Sequence, residues 1–125
     1  GLFNIGGTGD FPFPNRGVYE TSGQPADMGK FRAASLRNIA LTAPYMHDGS
    51  LATLEEVLDF YAAGGRNIPS GPHAGDGRAN PFKSDLISRI SLSPQDKADL
   101  IAFLKTLTDE QFIHDPRFAD PFAAP

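Results

Sequence analysis

Thirteen glycines and eleven prolines interrupt a chain of 125 residues, nearly one position in five. Such a density of chain breakers confines regular structure to a few short stretches. Residues 1–34 are expected to be irregular, because Gly6-Gly7-Thr8-Gly9 and Phe11-Pro12-Phe13-Pro14-Asn15 leave no room for a helix. The glycine run lacks the G-x-x-x-x-G-K-[ST] pattern and a strand–helix frame, so it reads as a plain turn and not a phosphate loop. The stretch Ser35–Thr42 suits a short helical turn or an extended segment. Ala43-Pro44 ends it, since the residue before proline is pushed out of the α region.

Two helices are legible. Thr53-Leu54-Glu55-Glu56 is a capping box, in which a hydroxyl and a carboxylate satisfy free backbone donors reciprocally. Leu54, Val57, Leu58 and Tyr61 follow at helical spacing as one apolar stripe, and Gly64-Gly65 stops the helix. The second helix is expected from about Pro94 to Leu107, with Ser93 as N-cap and Pro94 at the first position. Its expected buried face is Ala98, Ile101, Ala102, Leu104 and Leu107. The loop over 64–85 carries five glycines and three prolines; one so long is either functional or packed on something else. The tail from Asp109 holds a short turn near Glu110-Gln111-Phe112, then proline-interrupted coil. This is little regular structure for ten phenylalanines, so something besides helix packing must fill the centre.

Composition removes several classes of function. The length suits one domain, and 40 % hydrophobic residues can form a modest core. A formal charge of −4 with scattered Arg and Lys is no nucleic-acid footprint. No run of 18 apolar residues spans a membrane, and no charged segment followed by an apolar one reads as a targeting signal. The absence of cysteine excludes disulfides, thiolate metal sites and cysteine nucleophiles in this chain. His47, His73 and His114 lack zinc-site spacing, and no G-x-S-x-G supplies a serine nucleophile. Glu55-Glu56 and Asp109-Glu110 sit at helix starts, where the macrodipole accounts for them.

One block is specific: Phe31-Arg32-Ala33-Ala34-Ser35-Leu36-Arg37-Asn38-Ile39-Ala40-Leu41-Thr42-Ala43-Pro44-Tyr45-Met46-His47-Asp48-Gly49, followed by Thr53-Leu54-Glu55-Glu56-Val57 and Tyr61. With the closing Leu-Ser-Pro-x-Asp and the helix through Asp99-Leu100-Ile101-Ala102-Phe103-Leu104, it resembles the C-terminal haem domain of bacterial di-haem cytochrome c peroxidases and their MauG-type relatives. The Asn4-Ile5-Gly6-Gly7 opening and Asp115-Pro116-Arg117-Phe118 extend the likeness over essentially the whole chain. The resemblance implies a mainly α, loop-rich fold, the C-terminal part of a cytochrome c-like domain. Within it, 1–34 is a wrapping segment, 35–65 the distal-ligand motif and helix, 93–108 the C-terminal helix and 109–125 the tail.

The family places the distal axial ligand of its second haem fourteen residues after the histidine of the P-Y-x-H-D/S-G block, which is Tyr61 here. Peroxidases of the simpler type have Met at that position; MauG-type enzymes have Tyr. The alternative for Tyr61 is a core tyrosine whose hydroxyl meets a backbone partner. On either reading the apolar stripe points its ring inward. Arg32 and Arg37 become candidates for pairing with haem propionates, or for ordinary surface ion pairs. His47 lies near the haem edge without ligating iron. Met46 adds a soft thioether to that wall and reads as core filler. Thr42 and Pro44 match positions whose backbone carbonyls hold a structural calcium, or they form a simple proline-terminated turn. Met28 carries no signal, and His73 and His114 are expected to face solvent.

The resemblance therefore implies part of a periplasmic di-haem c-type oxidoreductase using hydrogen peroxide, with haem c and calcium as cofactors. Its haem-attachment C-x-x-C-H segment and N-terminal haem domain would lie outside this chain. A phenolate oxygen is an anionic ligand that favours the oxidised states of iron, which suits oxidation of a partner protein's side chain or of an electron-donor protein. Two alternatives stand beside it: a plain di-haem peroxidase with Tyr61 unligated, and a haem-less interaction or electron-transfer module.

Overall fold

The structure is a computed structural model describing residues 1–119 and 122. Four α-helices occur among these residues: α1 (Tyr19–Ser22), α2 (Leu54–Ala63), α3 (Pro94–Thr106) and α4 (Glu110–Ile113). Single 3₁₀ turns cover Pro25–Asp27, Ile39–Leu41, Gly77–Ala79 and Pro116–Phe118. Strands β1 (Asn67–Ile68) and β2 (Gly75–Asp76) form a small antiparallel pair, with Asn67 opposite Asp76 and Ile68 opposite Gly75. The loop-rich expectation is met, and only two helices exceed four residues.

Both long helices start and stop on the residues that signal them. The Thr53 hydroxyl accepts the Glu56 amide at 3.1 Å, and the Glu56 carboxylate takes the amides of Ala52 and Thr53 at 2.5 and 3.4 Å. Gly64 closes α2 in the left-handed region at φ 73°, where a side chain would be strained. At α3 the Ser93 hydroxyl accepts the Asp96 amide at 3.1 Å, and Asp96 returns the bond to the Ser93 amide at 2.8 Å. Ile39–Leu41 resolves the ambiguous 35–42 stretch as a single tight turn.

The core is built by the segment expected merely to wrap it. Leu2, Phe3, Phe11 and Met28 join Phe60 of α2 in one buried cluster, with Tyr19, Met46, Leu51, Ile68 and Ile87 packed around it. Two buried asparagines replace a sheet in tying this irregular backbone together. Asn4 donates to the Asp76 carbonyl at 2.8 Å and accepts the Gly9 amide at 2.8 Å. Asn80 donates to the carbonyls of Phe3 and Gly9 at 2.7 and 3.1 Å and accepts the Phe82 amide at 2.7 Å. Through them the 64–85 loop is packed on the N-terminal segment. Approach is so close that a Cβ on Gly77 would lie 2.1 Å from the Gly1 carbonyl oxygen. The Gly6–Gly9 run is indeed a turn, closed by the Ile5–Asp10 bridge.

Two packing expectations are corrected. Ala98 and Ala102 of α3 are exposed, and Ile101, Leu104 and Leu107 are only half-buried. The helix meets α2 and the 39–41 turn, and its apolar Leu100 and Phe103 remain exposed. On α2, Leu54 and Leu58 are buried but Tyr61 is 41 % exposed, while Phe60, outside the expected stripe, is buried instead. Core residues lie on the Phe60 side of α2, about 100° around the helix from Tyr61. In the tail, α4 occupies the expected turn, capped by Asp109 accepting the Phe112 amide at 3.0 Å. The coil expected at the chain's end falls, at 120, 121 and 123–125, outside the described residues.

Candidate functional site

The 35–51 block folds as two linked turns. Asn38 sits in the left-handed region at φ 59°, where asparagine is tolerated better than most residues. Its amide donates to the Leu107 carbonyl at 3.0 Å and its side-chain oxygen accepts the Asp109 amide at 2.6 Å, tying the block to the end of α3. The Tyr45 hydroxyl donates to the Ile39 carbonyl at 3.0 Å and joins the first turn to the second. The second turn is closed by the Tyr45–Leu51 bridge. It needs positive φ at Met46 (70°) and Gly49 (64°), and the Asp48 carboxylate accepts the Ser50 amide at 3.1 Å.

His47 projects from this turn onto aromatic rings. It stacks on Phe31 at 3.8 Å with 17° between planes and meets Phe11 and Phe3 at 6.1 and 6.4 Å. Desolvation against these rings, opposed by Asp48 and helped by Arg66, holds its pKa below the ordinary 6.5. Between the two values the unfolded chain binds a proton that the folded one does not, so stability falls as pH drops through that window. We expect wild-type unfolding midpoints to decline below about pH 6.5, and His47→Phe to lose part of that acid slope. An identical slope in both proteins would contradict the assignment.

Tyr61, on the last full turn of α2, stands edge-on to Phe60 at 5.2 Å. Its hydroxyl has no hydrogen-bond partner among the described residues, so it is not a satisfied core tyrosine. Arg32 and Arg37 are exposed and enter none of the ion pairs among the described residues. They flank exposed apolar side chains, Phe31 and Leu36, with Leu41 further along the same block. Thr42 and Pro44 lie on its exposed edge, and no described donor reaches their carbonyl oxygens. Met46 is half-buried against the core cluster, as a filler should be. Among the described residues no group of three or more His, Asp or Glu could hold a metal ion.

The candidates are not gathered in one enclosed cavity. One open cavity of about 810 Å³ is lined by Phe11, Met28, Phe31, Asn80, Phe82 and Lys83 among others, and includes none of the candidates. Met46 packs on the core, the exposed His47 stacks on its aromatic rim, Tyr61 meets it through Phe60, and among the described residues no hydrogen bond or ion pair joins Arg32 or Arg37 to them. The residue types nevertheless suit a haem: a phenol and two guanidiniums without ion-pair or hydrogen-bonded side-chain partners among the described residues, and the exposed apolar side chains of Phe31, Leu36 and Leu41. Met28, Phe60, Asn80 and Arg66 were not flagged by sequence. The first two lie off any legible stripe, and the other two act through contacts more than sixty residues away.

No protein-family model matches the chain. It is 41 % identical over 102 residues to the cytochrome-c peroxidase IdrP1 of Denitromonas iodatirespirans, covering 81 % of this chain and 24 % of that protein. The solved structure of a MauG-like protein associated with microbial copper homeostasis superposes on 98 % of this chain with a TM-score of 0.93 at 67 % identity. The chain belongs to the bacterial di-haem cytochrome c peroxidase and MauG family. The methylamine utilization protein MauG of Methylorubrum extorquens is a further member, 40 % identical over 80 residues, with 64 % of this chain and 19 % of that protein covered. The chain spans about a fifth to a quarter of the length of these curated relatives and 35 % of the solved MauG-like chain. No helix of the described residues is long and apolar enough to cross a membrane.

Proposed function

We propose that this chain is the C-terminal haem-domain portion of a periplasmic di-haem c-type oxidoreductase that uses hydrogen peroxide in the MauG manner, with Tyr61 as distal ligand of the second haem. The observation that supports this reading is the exposed Tyr61 on α2, whose hydroxyl has no hydrogen-bond partner among the described residues, at the position that the family resemblance gives to the ligand. Haem c, when bound, supplies the one-electron and peroxide chemistry. The chain's own residues bind and orient it. The α2 backbone holds the phenol oxygen at a fixed height, because the Gly64 amide caps the Phe60 and Tyr61 carbonyls and stops fraying of that turn. Arg32 and Arg37 would pair with the propionates, and Met46 with the exposed His47–Phe31 stack would give the haem an apolar surface. Free carbonyls of Thr42 and Pro44 suit a calcium ion shared with the rest of the protein, since carbonyl oxygens match a hard cation.

An anionic oxygen ligand favours storing an oxidising equivalent over delivering an electron at high potential. That supports oxidation of a protein side chain or an electron-donor protein. The test uses the full-length, haem-loaded protein. Its ferric spectrum should lack a Met–iron charge-transfer band and should change at one of two haems on Tyr61→Phe, with both haems still attached by mass. A spectrum indifferent to that substitution would place Tyr61 outside the coordination sphere, as in a plain peroxidase.

A further inference from the structure

We propose that Arg66 is a positioning residue: through Asp48 it locks the turn that carries His47 to the C-terminal end of the helix that carries Tyr61, so that both enter the site as one rigid piece. This rests on the reading of Tyr61 and His47 given above. Arg66 follows the Gly64-Gly65 cap directly, and the amides of Gly64 and Gly65 donate to Tyr61 and Phe60 at 3.0 Å each. From Tyr61 to Arg66 the chain is therefore hydrogen-bonded throughout. The backbone of Arg66 is pinned on both sides: its amide donates to Gly1 at 2.9 Å and its carbonyl accepts the Gly77 amide at 2.8 Å.

The side chain then reaches across the core. Its guanidinium lies 4.8 Å over the Phe3 ring, its Nε donates to the Leu2 carbonyl at 3.4 Å, and a terminal nitrogen stands 3.8 Å from Asp48. The remaining Asp48 oxygen accepts the Ser50 amide, so this carboxylate is held between its own turn and Arg66. Side-chain exposures of 24 % for Arg66 and 16 % for Asp48 keep the pair from being screened like the exposed ones. Most other ion pairs of the described residues join near neighbours, and Lys97–Asp59 joins two helices at the surface. Among the ion pairs of the described residues, Arg66–Asp48 is the one set against the buried ring of Phe3.

Two charged groups face His47: Asp48 on its own turn and Arg66 at the α2–β1 junction. The N-terminal segment and residue 31 present only the rings of Phe3, Phe11 and Phe31, and His73 meets Phe3 edge-on at 5.8 Å. If the pair sets the place of His47, removing its two members must shift His47 protonation in opposite directions.

The experiment follows the midpoint potential of the Tyr61-side haem in the full-length, haem-loaded protein from about pH 5 to 8. Arg66→Gln should move the pH-dependent step upward, Asp48→Asn should move it downward, and Arg66→Lys, which keeps the charge, should restore it. Hydrogen exchange over 45–51 should accelerate about tenfold in Arg66→Gln and stay unchanged over 94–106. Steps that stay in place, or that move the same way in both variants, overturn the proposal even if melting points fall. Should Arg66→Gln fail to fold, hydrogen exchange over 45–51 in Asp48→Asn decides: faster exchange there with 94–106 unchanged supports the proposal, and unchanged rates overturn it. Tyr61→Phe is the reference: no effect there overturns the ligand reading, whereas an effect there with an immobile step overturns only the role of Arg66.

Discussion

Tyr61→Met in the full-length, haem-loaded protein is expected to raise the midpoint potential of the second haem by on the order of 0.1 V or more, because axial ligands tune such potentials over about 0.8 V. A thioether is neutral and stabilises the reduced iron, whereas a phenolate is anionic and stabilises the oxidised one. The substitution changes little else. Tyr61 is 41 % exposed, touches Phe60 edge-on and donates no hydrogen bond to protein among the described residues, so no buried partner is orphaned by its removal. Fold stability should therefore change far less than potential. Spectroelectrochemical titration of wild type and variant checks both, with thermal unfolding alongside. An unchanged potential with haem retained would mean that the phenol is not bound to iron.

Asn80→Ala should be among the most destabilising single changes in this chain, costing about 2–4 kcal/mol. The side chain is 6 % exposed and makes three hydrogen bonds, to the carbonyls of Phe3 and Gly9 and from the Phe82 amide. Alanine leaves the Phe3 and Gly9 carbonyls and the Phe82 amide without this partner. Asn80→Asp should be at least as damaging, since it replaces the donating amide with an oxygen facing two carbonyl oxygens. Asn67→Ala, at an exposed strand position, should stay within about 0.5 kcal/mol. Denaturant unfolding of the full-length variants, with hydrogen exchange of the 1–11 and 77–83 peptides, gives the comparison. Equal midpoints and equal protection for Asn80→Ala and Asn67→Ala would remove Asn80 from the list of core determinants.

The legible parts of this protein are those whose information is local. Thr53 with Glu56, and Ser93 with Asp96, mark helix starts because capping is settled within four residues. The block from Phe31 to Gly49 is likewise readable as a pattern, and the relatives bear out the family it pointed to. Burial was less readable. The α2 stripe pointed Tyr61 inward, yet Phe60 is the residue in the core, because the N-terminal segment packs on that side of the helix. A face expected to be buried on α3 is covered only where α2 and the 39–41 turn reach it.

What the sequence by itself determined is therefore the two long helices, the turn at Gly6–Gly9 and the family. Each follows from spacing within a short window or from a motif read whole. Tertiary structure alone decided that Leu2, Phe3, Phe11 and Met28 join Phe60 in the core, that Asn4 and Asn80 bind irregular backbone in place of a sheet, and that Arg66 stands beside Asp48 of the His47 turn. Those contacts link segments up to 77 positions apart, and buried polar groups must take whichever partners the fold brings to them.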